Sequence, residues 1–205
     1  MARESTLRRE EIVERATKLF AERGYTSTSL RDIMDGFDVS GPAFYHYFSS
    51  KEVILTEILD GALLGAESVL EGLLANSDLS AADRFMAAMR SHAEAVWNNS
   101  DAARVLFLDN ELVNASTSGM IQTRMQRYTE TLSDLYRQGV AEGSLKPHNP
   151  RTVTAMVLGM ANWGPFWMAP GKTHSDELDI FIEVIAGGIW EPTVEPTATS
   201  PGITN

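Results

Sequence analysis

Helical periodicity runs along the whole chain and restricts its fold more than any other feature. Apolar residues recur at intervals of three and four, as at Ile12, Ala16, Leu19 and Phe20 near the N-terminus. No stretch longer than a few residues alternates between apolar and polar positions, which is the pattern of a half-buried strand. The sequence therefore predicts an all-α protein of about nine helices with no sheet.

Helix start and stop signals divide the first quarter of the chain into short helices. Gly24 follows the first helix at a position typical of helix termination. Ser29 and Asp32 have the spacing of a capping box that opens a second helix, and Pro42 stands in the first turn of a third. Three short helices with a tight turn between the last two predict a helix-turn-helix, which lays one helix in the major groove of DNA.

The charge is unevenly distributed. The chain has 17 Lys and Arg against 28 Asp and Glu, a net charge of −11. Residues 1–55 carry a net −1, whereas the remaining 150 residues carry −10. Because nonspecific DNA binding requires clustered cations, this charge balance disfavours a protein that binds DNA nonspecifically. It still permits a small DNA-binding surface on an otherwise acidic protein.

Several classes of protein are disfavoured by what the sequence lacks. It has no Cys for a disulfide framework or a thiolate metal site, and no apolar run of the roughly 20 residues that a membrane span needs. His92, His148 and His174 lie on different predicted elements, and none has the i, i+4 partner of a helical metal site. We therefore expect a cytoplasmic protein that binds no metal or cofactor, has no membrane partner and is not an enzyme.

The residues of the predicted helix-turn-helix also match a family pattern. Residues 24–33 read GYTSTSLRDI, and residues 39–52 read VSGPAFYHYFSSKE. This resembles the DNA-binding domain of TetR-family transcriptional regulators, roughly G-Y-x-x-T-S-x-R-D-I followed by V-S-x-x-x-[LF]-Y-x-[HY]-F-x-[ST]-K-E, with the spacing intact. The resemblance covers about residues 7–55 and implies a DNA-binding domain over 1–55 and a ligand-binding and dimerisation domain over 56–190. The Pro- and Thr-rich tail, 191–205, is predicted to be disordered.

Nine residues of this motif are candidate DNA contacts: Thr28, Arg31, Gly41, Pro42, Ala43, Tyr45, His46, Tyr47 and Lys51. The start of the third helix would face base edges, where Gly and Ala offer backbone approach and apolar contact with thymine methyl groups. The resemblance implies that Arg31 lies near bases and Lys51 at a phosphate. Thr28 is predicted to cap the second helix, at a position where the family often contacts the DNA backbone. Because phosphate contacts set register, we expect specificity from Arg31, His46 and the 41–43 edge.

Some of these residues have another interpretation, and two positions depart from the family pattern. Outside the motif, Tyr45, His46 and Tyr47 would be interpreted as an aromatic packing cluster, and Lys51 as a solvated lysine. Asp38 stands where the family usually has Gly in the turn, and Asp tolerates a left-handed backbone better than most residues. Ala43 replaces the usual hydrogen-bonding Thr of the recognition helix, which leaves the operator sequence open.

The segment 150–168 is apolar on more than one face. Val153 and Val157 form one face, and the other consists of Met156, Met160, Trp163 and Trp167. A helix of this kind requires two partners, a core or cavity and a second subunit. The resemblance implies that the last two long helices pair in a homodimer, as two half-sites about 34 Å apart require.

Met and aromatic residues suit an adaptable apolar cavity. The candidate ligand-binding residues are Met89, Trp97, Met125, Tyr128, Met156, Met160, Trp163 and Trp167. The alternative is a solid core in which Met fills gaps. The segment from Asn162 to Pro170 looks similar to family members that respond to acyl-CoA thioesters, and Arg124, Arg127 or Arg137 would then meet the CoA phosphates.

The resulting hypothesis is a homodimeric repressor that releases operator DNA when a hydrophobic, acyl-CoA-like small molecule binds. A drug-like or other apolar effector on the same fold is one alternative. Another is a helical small-molecule carrier with a vestigial DNA-binding domain, which the acidic body and Ala43 favour. A carrier would show no salt-dependent, sequence-specific affinity for DNA.

Overall fold

The computed structural model describes residues 2–37, 41–108, 119–166 and 174–191. Within these ranges the chain forms nine α-helices and a short 3₁₀ turn, with no extended strand. An isolated antiparallel bridge joins Leu145 to Trp190. The prediction of an all-α protein of about nine helices is confirmed. Asp38, Trp167 and all but the first residue of the tail 191–205 lie outside the described ranges.

The helices are numbered here in chain order. They are α1 (Ala2–Arg23), α2 (Leu30–Met34), α3 (Gly41–Tyr45), α4 (Lys51–Ala75), α5 (Ala81–Asn98), α6 (Ser100–Leu108), α7 (Gly119–Ala141), α8 (Pro150–Trp163) and α9 (Ser175–Ile189). The 3₁₀ turn, Gly164–Phe166, directly follows α8. No helix within the described parts of the chain is long and apolar enough to cross a membrane.

Local sequence signals explain where several helices begin and end. Gly24 and Gly143 follow α1 and α7 with φ of 85° and 74°, a left-handed conformation that glycine adopts without strain. Ser29 caps α2 and forms the predicted capping box with Asp32. Ser80 likewise accepts a hydrogen bond from the backbone N–H of Asp83 at the start of α5. These short-range interactions set the lengths of the helices before any tertiary contact is made.

The first hydrophobic core lies beneath α1 to α4. Phe20, Ile33, Phe44 and Phe48 are among its fully or almost fully buried side chains. Val105 of α6 and Ile121 of α7 are also members of this core, although they lie far along the chain. The helix-turn-helix is therefore packed directly on the helices that follow it.

The second core is built from α5, α7, α8 and α9, with Leu70 of α4. Trp97 is central to it, since its indole Nε1–H donates to the carbonyl oxygen of Ala161 at 2.8 Å and its ring packs edge-on against Phe181. Gly164 passes so close to this indole that a Cβ atom there would lie 2.3 Å from Nε1. Trp97 thus fixes the end of α8 against α5 and α9.

Replacing Gly164 with Ala tests this close approach. We expect Gly164→Ala to lower the free energy of unfolding by about 1–3 kcal/mol, because the buried indole has to shift. Gly72→Ala is the matched control, since a Cβ at Gly72 meets no atom within 4 Å, and we expect it to be neutral or to stabilise α4 by up to about 1 kcal/mol. Urea unfolding followed by tryptophan fluorescence measures both; equal stability of the two variants would contradict the packing described.

Candidate functional site

The short helix α3 buries one side chain in the first core and exposes others to solvent. Phe44 is fully buried in the first core, whereas Pro42, Tyr45 and His46 are exposed, Tyr45 by 56%. Gly41, Ala43 and Tyr47 are partly buried at the edges of the same segment. The buried Phe44 thus attaches α3 to the first core, while small and aromatic residues of the same segment reach the surface.

Two exposed cations of the first three helices, Arg23 and Arg31, have side chains that form no hydrogen bond or ion pair with any residue in the described ranges. Arg23 ends α1, and Arg31 lies on α2. Other cations of this region are engaged within the protein, in the pairs Arg8–Glu11, Arg9–Glu57 and Lys18–Glu14. Arg15 donates to the backbone carbonyl oxygens of Ile33 and Asp32, at 3.0 and 3.3 Å. The side chains of Arg23 and Arg31 therefore carry the unpaired positive charges of this region.

Lys51 holds the turn between α1 and α2. Its ammonium lies 2.9, 3.4 and 3.0 Å from the carbonyl oxygens of Tyr25, Thr26 and Thr28, and 4.4 Å from the centre of the Tyr25 ring. A lysine has three N–H donors, and these three acceptors occupy them. The phosphate contact implied for Lys51 stays a prediction; the role visible in the structure is to fix the backbone that precedes α2.

Thr28 is buried and does not cap α2. Its hydroxyl donates to the carbonyl oxygens of Gly24 at 2.9 Å and Leu19 at 3.3 Å, which attaches the turn to the end of α1. The cap is Ser29, so the prediction that Thr28 caps the helix is wrong. The physical reason is that the Thr28 side chain satisfies carbonyl oxygens left over at the end of α1, and the next residue is free to cap α2.

Arg9 joins α1, α4 and the end of the recognition segment, a role that the sequence analysis missed. Its guanidinium lies 4.0 Å above the Phe48 ring, pairs with Glu57 of α4 and donates to the carbonyl oxygen of Tyr47. The partners are 38 to 48 residues away in the chain. No local spacing reveals such a contact.

The structure does not bring the predicted ligand-binding residues together. Met89, Trp97 and Tyr128 are buried in or beside the second core. Four others point outward and are exposed by 38–65%: Met125, Met156, Met160 and Trp163. Trp167 lies outside the described residues. The predicted set therefore divides into core residues, surface residues and Tyr128, which alone of the described members lines a cavity.

This cavity lies between α4, α5 and α7 and has a volume of about 30 Å³. It is lined by Gly65, Ala66, Val69, Leu70, Ala88, Ser91, His92, Ala95 and Tyr128. That volume holds about one water molecule.

A chain of hydrogen bonds runs from this cavity into the second core. The Tyr128 hydroxyl lies 3.2 Å from Nδ1 of His92, and Nε2 of His92 lies 2.8 Å from Oδ1 of Asn162. Burial lowers the pKa of His92 and raises the pKa of Tyr128 to about 12, so both side chains are neutral near pH 7. The three residues come from α5, α7 and α8, and sequence spacing could not associate them.

The arginines considered for CoA phosphates have different surroundings. Arg124 of α7 pairs with Glu67, at 2.6 Å from Nη2, and with Asp60, both on α4. Arg137 pairs with Asp134 on its own helix. Arg127 is exposed, and its side chain makes no hydrogen bond or ion pair with any described residue. Arg124 thus connects α4 to α7. Of the three arginines, only Arg127 is not paired with a carboxylate of the described residues.

The outer faces of α8 and α9 carry exposed apolar residues. On α8 these are Met156, Met160 and Trp163, spaced by one helical turn. On α9 they are Ile180 and Val184, exposed by 59% and 57%. Both helices bury their opposite faces in the second core, so each is apolar on two sides.

Comparison with known proteins gives two family matches. Residues 12–58 match the family described as bacterial regulatory proteins, tetR family, and residues 78–189 match the tetracyclin repressor-like C-terminal domain. The HTH-type transcriptional repressor KstR2 of Rhodococcus jostii is 30% identical over 190 residues, which cover 90% of this chain and 92% of that protein. KstR2 of Mycobacterium tuberculosis is 27% identical over 192 residues, covering 91% and 95%.

Two solved structures share the fold. The structure of the ketosteroid transcriptional regulator KstR2 of Mycobacterium tuberculosis superposes with a TM-score of 0.82 at 23% identity, covering 90% of this chain and 96% of that one. The crystal structure of AibR in complex with isovaleryl coenzyme A and operator DNA superposes with a TM-score of 0.72 at 24% identity, covering 88% and 97%.

The contacts of Lys51 lead to a stability prediction. We expect Lys51→Met to lower the free energy of unfolding by about 2 kcal/mol, because three carbonyl oxygens lose their charged donor while the aliphatic part of the side chain is kept. Arg31→Met is the control and is expected to change stability by less than about 0.5 kcal/mol, since Arg31 has no partner to lose. Equal effects of the two substitutions in urea unfolding would show that Lys51 does not hold the turn.

Proposed function

Because the chain belongs to the TetR family of bacterial transcriptional regulators, we propose that it is a repressor that a hydrophobic small molecule releases from its operator. In this proposal residues 1–55 bind DNA, residues 56–190 bind the effector and dimerise, and residues 191–205 form a disordered tail. The relatives named above as repressors support the direction of regulation. Operator DNA, an effector and a second copy of the chain are its partners in the cytoplasm.

The exposed surface of α3 beside the unpaired charge of Arg31 is the observation that carries DNA binding. We assign base-edge contacts to Arg31, His46 and the edge formed by residues 41–43, and we assign Tyr45 and Tyr47 to phosphates and neighbouring bases. Lys51 and Thr28 contribute by holding the backbone of the turn, with Lys51 also near a phosphate. A binding surface this small is compatible with a net charge of −11, because the excess acid lies elsewhere in the chain.

A homodimer is supported by the apolar outer faces of α8 and α9. Large side chains such as Met156, Trp163 and Ile180 gain free energy when a second subunit covers them. In an antiparallel or crossed arrangement of these helices, the two α3 segments would reach successive major grooves about 34 Å apart.

An acyl-CoA-like thioester is the first effector to test. The AibR structure named above contains isovaleryl coenzyme A together with operator DNA, and it shares the fold of this chain. Binding would act through α4, which Arg9 ties to the recognition segment and Arg124 ties to α7. A ligand that favours a shifted α4 changes the separation of the two recognition helices and lowers their joint affinity for DNA.

Operator binding is the direct test. We expect the purified chain to bind DNA upstream of its own gene tightly at low salt and less tightly at high salt, and one acyl-CoA of a graded series to release it. Arg31→Ala is expected to weaken operator binding by about tenfold and to reduce discrimination against operators with a changed base pair at the contacted position, because Arg31 is assigned to base edges. Fluorescence anisotropy measures each quantity.

The outcomes separate the hypotheses. Tight binding that no thioester relieves would retain the regulator and remove the acyl-CoA, in favour of a drug-like or other apolar effector. Absence of specific DNA binding, confirmed by selection from random sequences, would favour a helical small-molecule carrier over the proposed repressor.

Dimerisation has its own test. We expect Val184→Glu to convert the dimer to a monomer in sedimentation velocity, because a carboxylate buried in an apolar interface loses its hydration. Leu64→Glu is the matched control, since Leu64 of α4 is exposed by 60% but lies outside the proposed interface. A dimer that survives Val184→Glu, or dissociates equally in both variants, would contradict the proposed interface.

A further inference from the structure

The cavity between α4, α5 and α7 has a lining with a distinct chemistry. We propose that it binds a small uncharged group carrying one hydroxyl, as the recognised end of the effector. The role of this group as part of the effector rests on the proposed function, whereas its binding to the cavity does not.

The hydrogen-bonding capacity follows from the order of donors along the polar chain. Nε2 of His92 donates to Oδ1 of Asn162, so Nδ1 of the neutral ring is an acceptor, and the Tyr128 hydroxyl donates to it. The phenol oxygen of Tyr128 remains able to accept one further hydrogen bond. The hydroxyl of Ser91, which also lines the cavity, has no hydrogen-bond partner among the described residues. One acceptor from α7 and one donor from α5, both in the lining, match a ligand hydroxyl.

The lining excludes ionised groups. None of its nine residues is Asp, Glu, Lys or Arg, and burial keeps both His92 and Tyr128 neutral. A carboxylate or phosphate placed here would lose hydration without gaining a counter-charge. The charged portion of a larger ligand therefore stays outside the cavity.

The wall formed by α4 is thin and reaches the surface. Gly65 and Val69 of α4 are exposed, while Leu70 and Ala88 at the inner side are buried. The volume of about 30 Å³ has to grow for any group larger than water, and α4 contributes the small residues Gly65 and Ala66 to a wall whose outer side is open to solvent at Gly65 and Val69. Occupation of the cavity would thus displace the helix that Arg9 and Arg124 connect to its neighbours.

Three probes of equal ring size test the chemistry: benzyl alcohol, toluene and benzoate. The full chain, labelled with ¹³C at its four histidines, reports binding by NMR, and His92→Gln assigns the His92 signal. We expect benzyl alcohol to shift the His92 signal in a saturable way and to leave His46 and His148 unchanged. Toluene should bind about tenfold more weakly, for want of one hydrogen bond, and benzoate should not bind at the same concentrations.

Matched variants locate the site. Tyr128→Phe and Ser91→Ala should reduce the advantage of benzyl alcohol over toluene without abolishing toluene binding. Gly65→Leu should obstruct the cavity and weaken the binding of both, because it adds a large side chain to the lining at a position where the Cβ itself meets no atom within 4 Å. Gly72→Leu, equally unhindered but outside the lining, should bind as the parent does.

Three results would overturn the proposal: benzoate binding as tight as that of benzyl alcohol, full binding by Gly65→Leu, or an unchanged alcohol preference in Tyr128→Phe. Since Tyr128→Phe and Ser91→Ala remove atoms without crowding, they keep the test valid if Gly65→Leu does not fold. Operator release is measured separately, with hydroxylated and plain acyl-CoAs. Probe binding without operator release would remove the proposed effector role and leave the cavity assignment standing.

Discussion

Burial of the two ends of α4 in two different hydrophobic cores is the constraint on which the remainder of the structure depends. Ile54, Leu55 and Ile58 belong to the core beneath the helix-turn-helix, while Leu70 belongs to the core of α5, α7, α8 and α9. A helix of 25 residues is roughly 37 Å long and nearly rigid over that length. Motion at one end is therefore transmitted to the other, provided that the contacts along α4 move as a unit.

Charged side chains add to these apolar contacts of α4, and their internal use bears on how an acidic protein can present a DNA-binding surface. Arg9 of α1 and Arg124 of α7 pair with carboxylates of α4, and Lys51 of α4 donates to backbone carbonyl oxygens of the turn before α2. Most described cations of the first 55 residues are used in this internal way, which leaves the side chains of Arg23 and Arg31 unpaired on the surface. In the proposed function, specificity rests on the shape of α3 and on Arg31 more than on a broad positive field.

In the larger domain, the residue type alone does not indicate whether a tryptophan or methionine lies in the core or on the surface. Trp97 is fixed within the core by a hydrogen bond and a ring contact, whereas Trp163 and Met156 lie on an outer face. The same side chains suit a cavity, a core or an interface, because all three exclude water from apolar surface. What distinguishes the cavity is that its mostly apolar lining also contains three uncharged polar side chains, Ser91, His92 and Tyr128.

Most of the secondary structure and the family could be predicted from the sequence alone, because they depend on local signals. The helical periodicity, the capping box of Ser29 and Asp32, and the left-handed glycines at 24 and 143 each act within a few residues. The tertiary structure alone decided the contacts between residues far apart in the chain. It buried Thr28, gave Lys51 its three carbonyl partners and joined His92 to Tyr128 and Asn162. Such contacts depend on how helices pack, and no spacing along the chain encodes them.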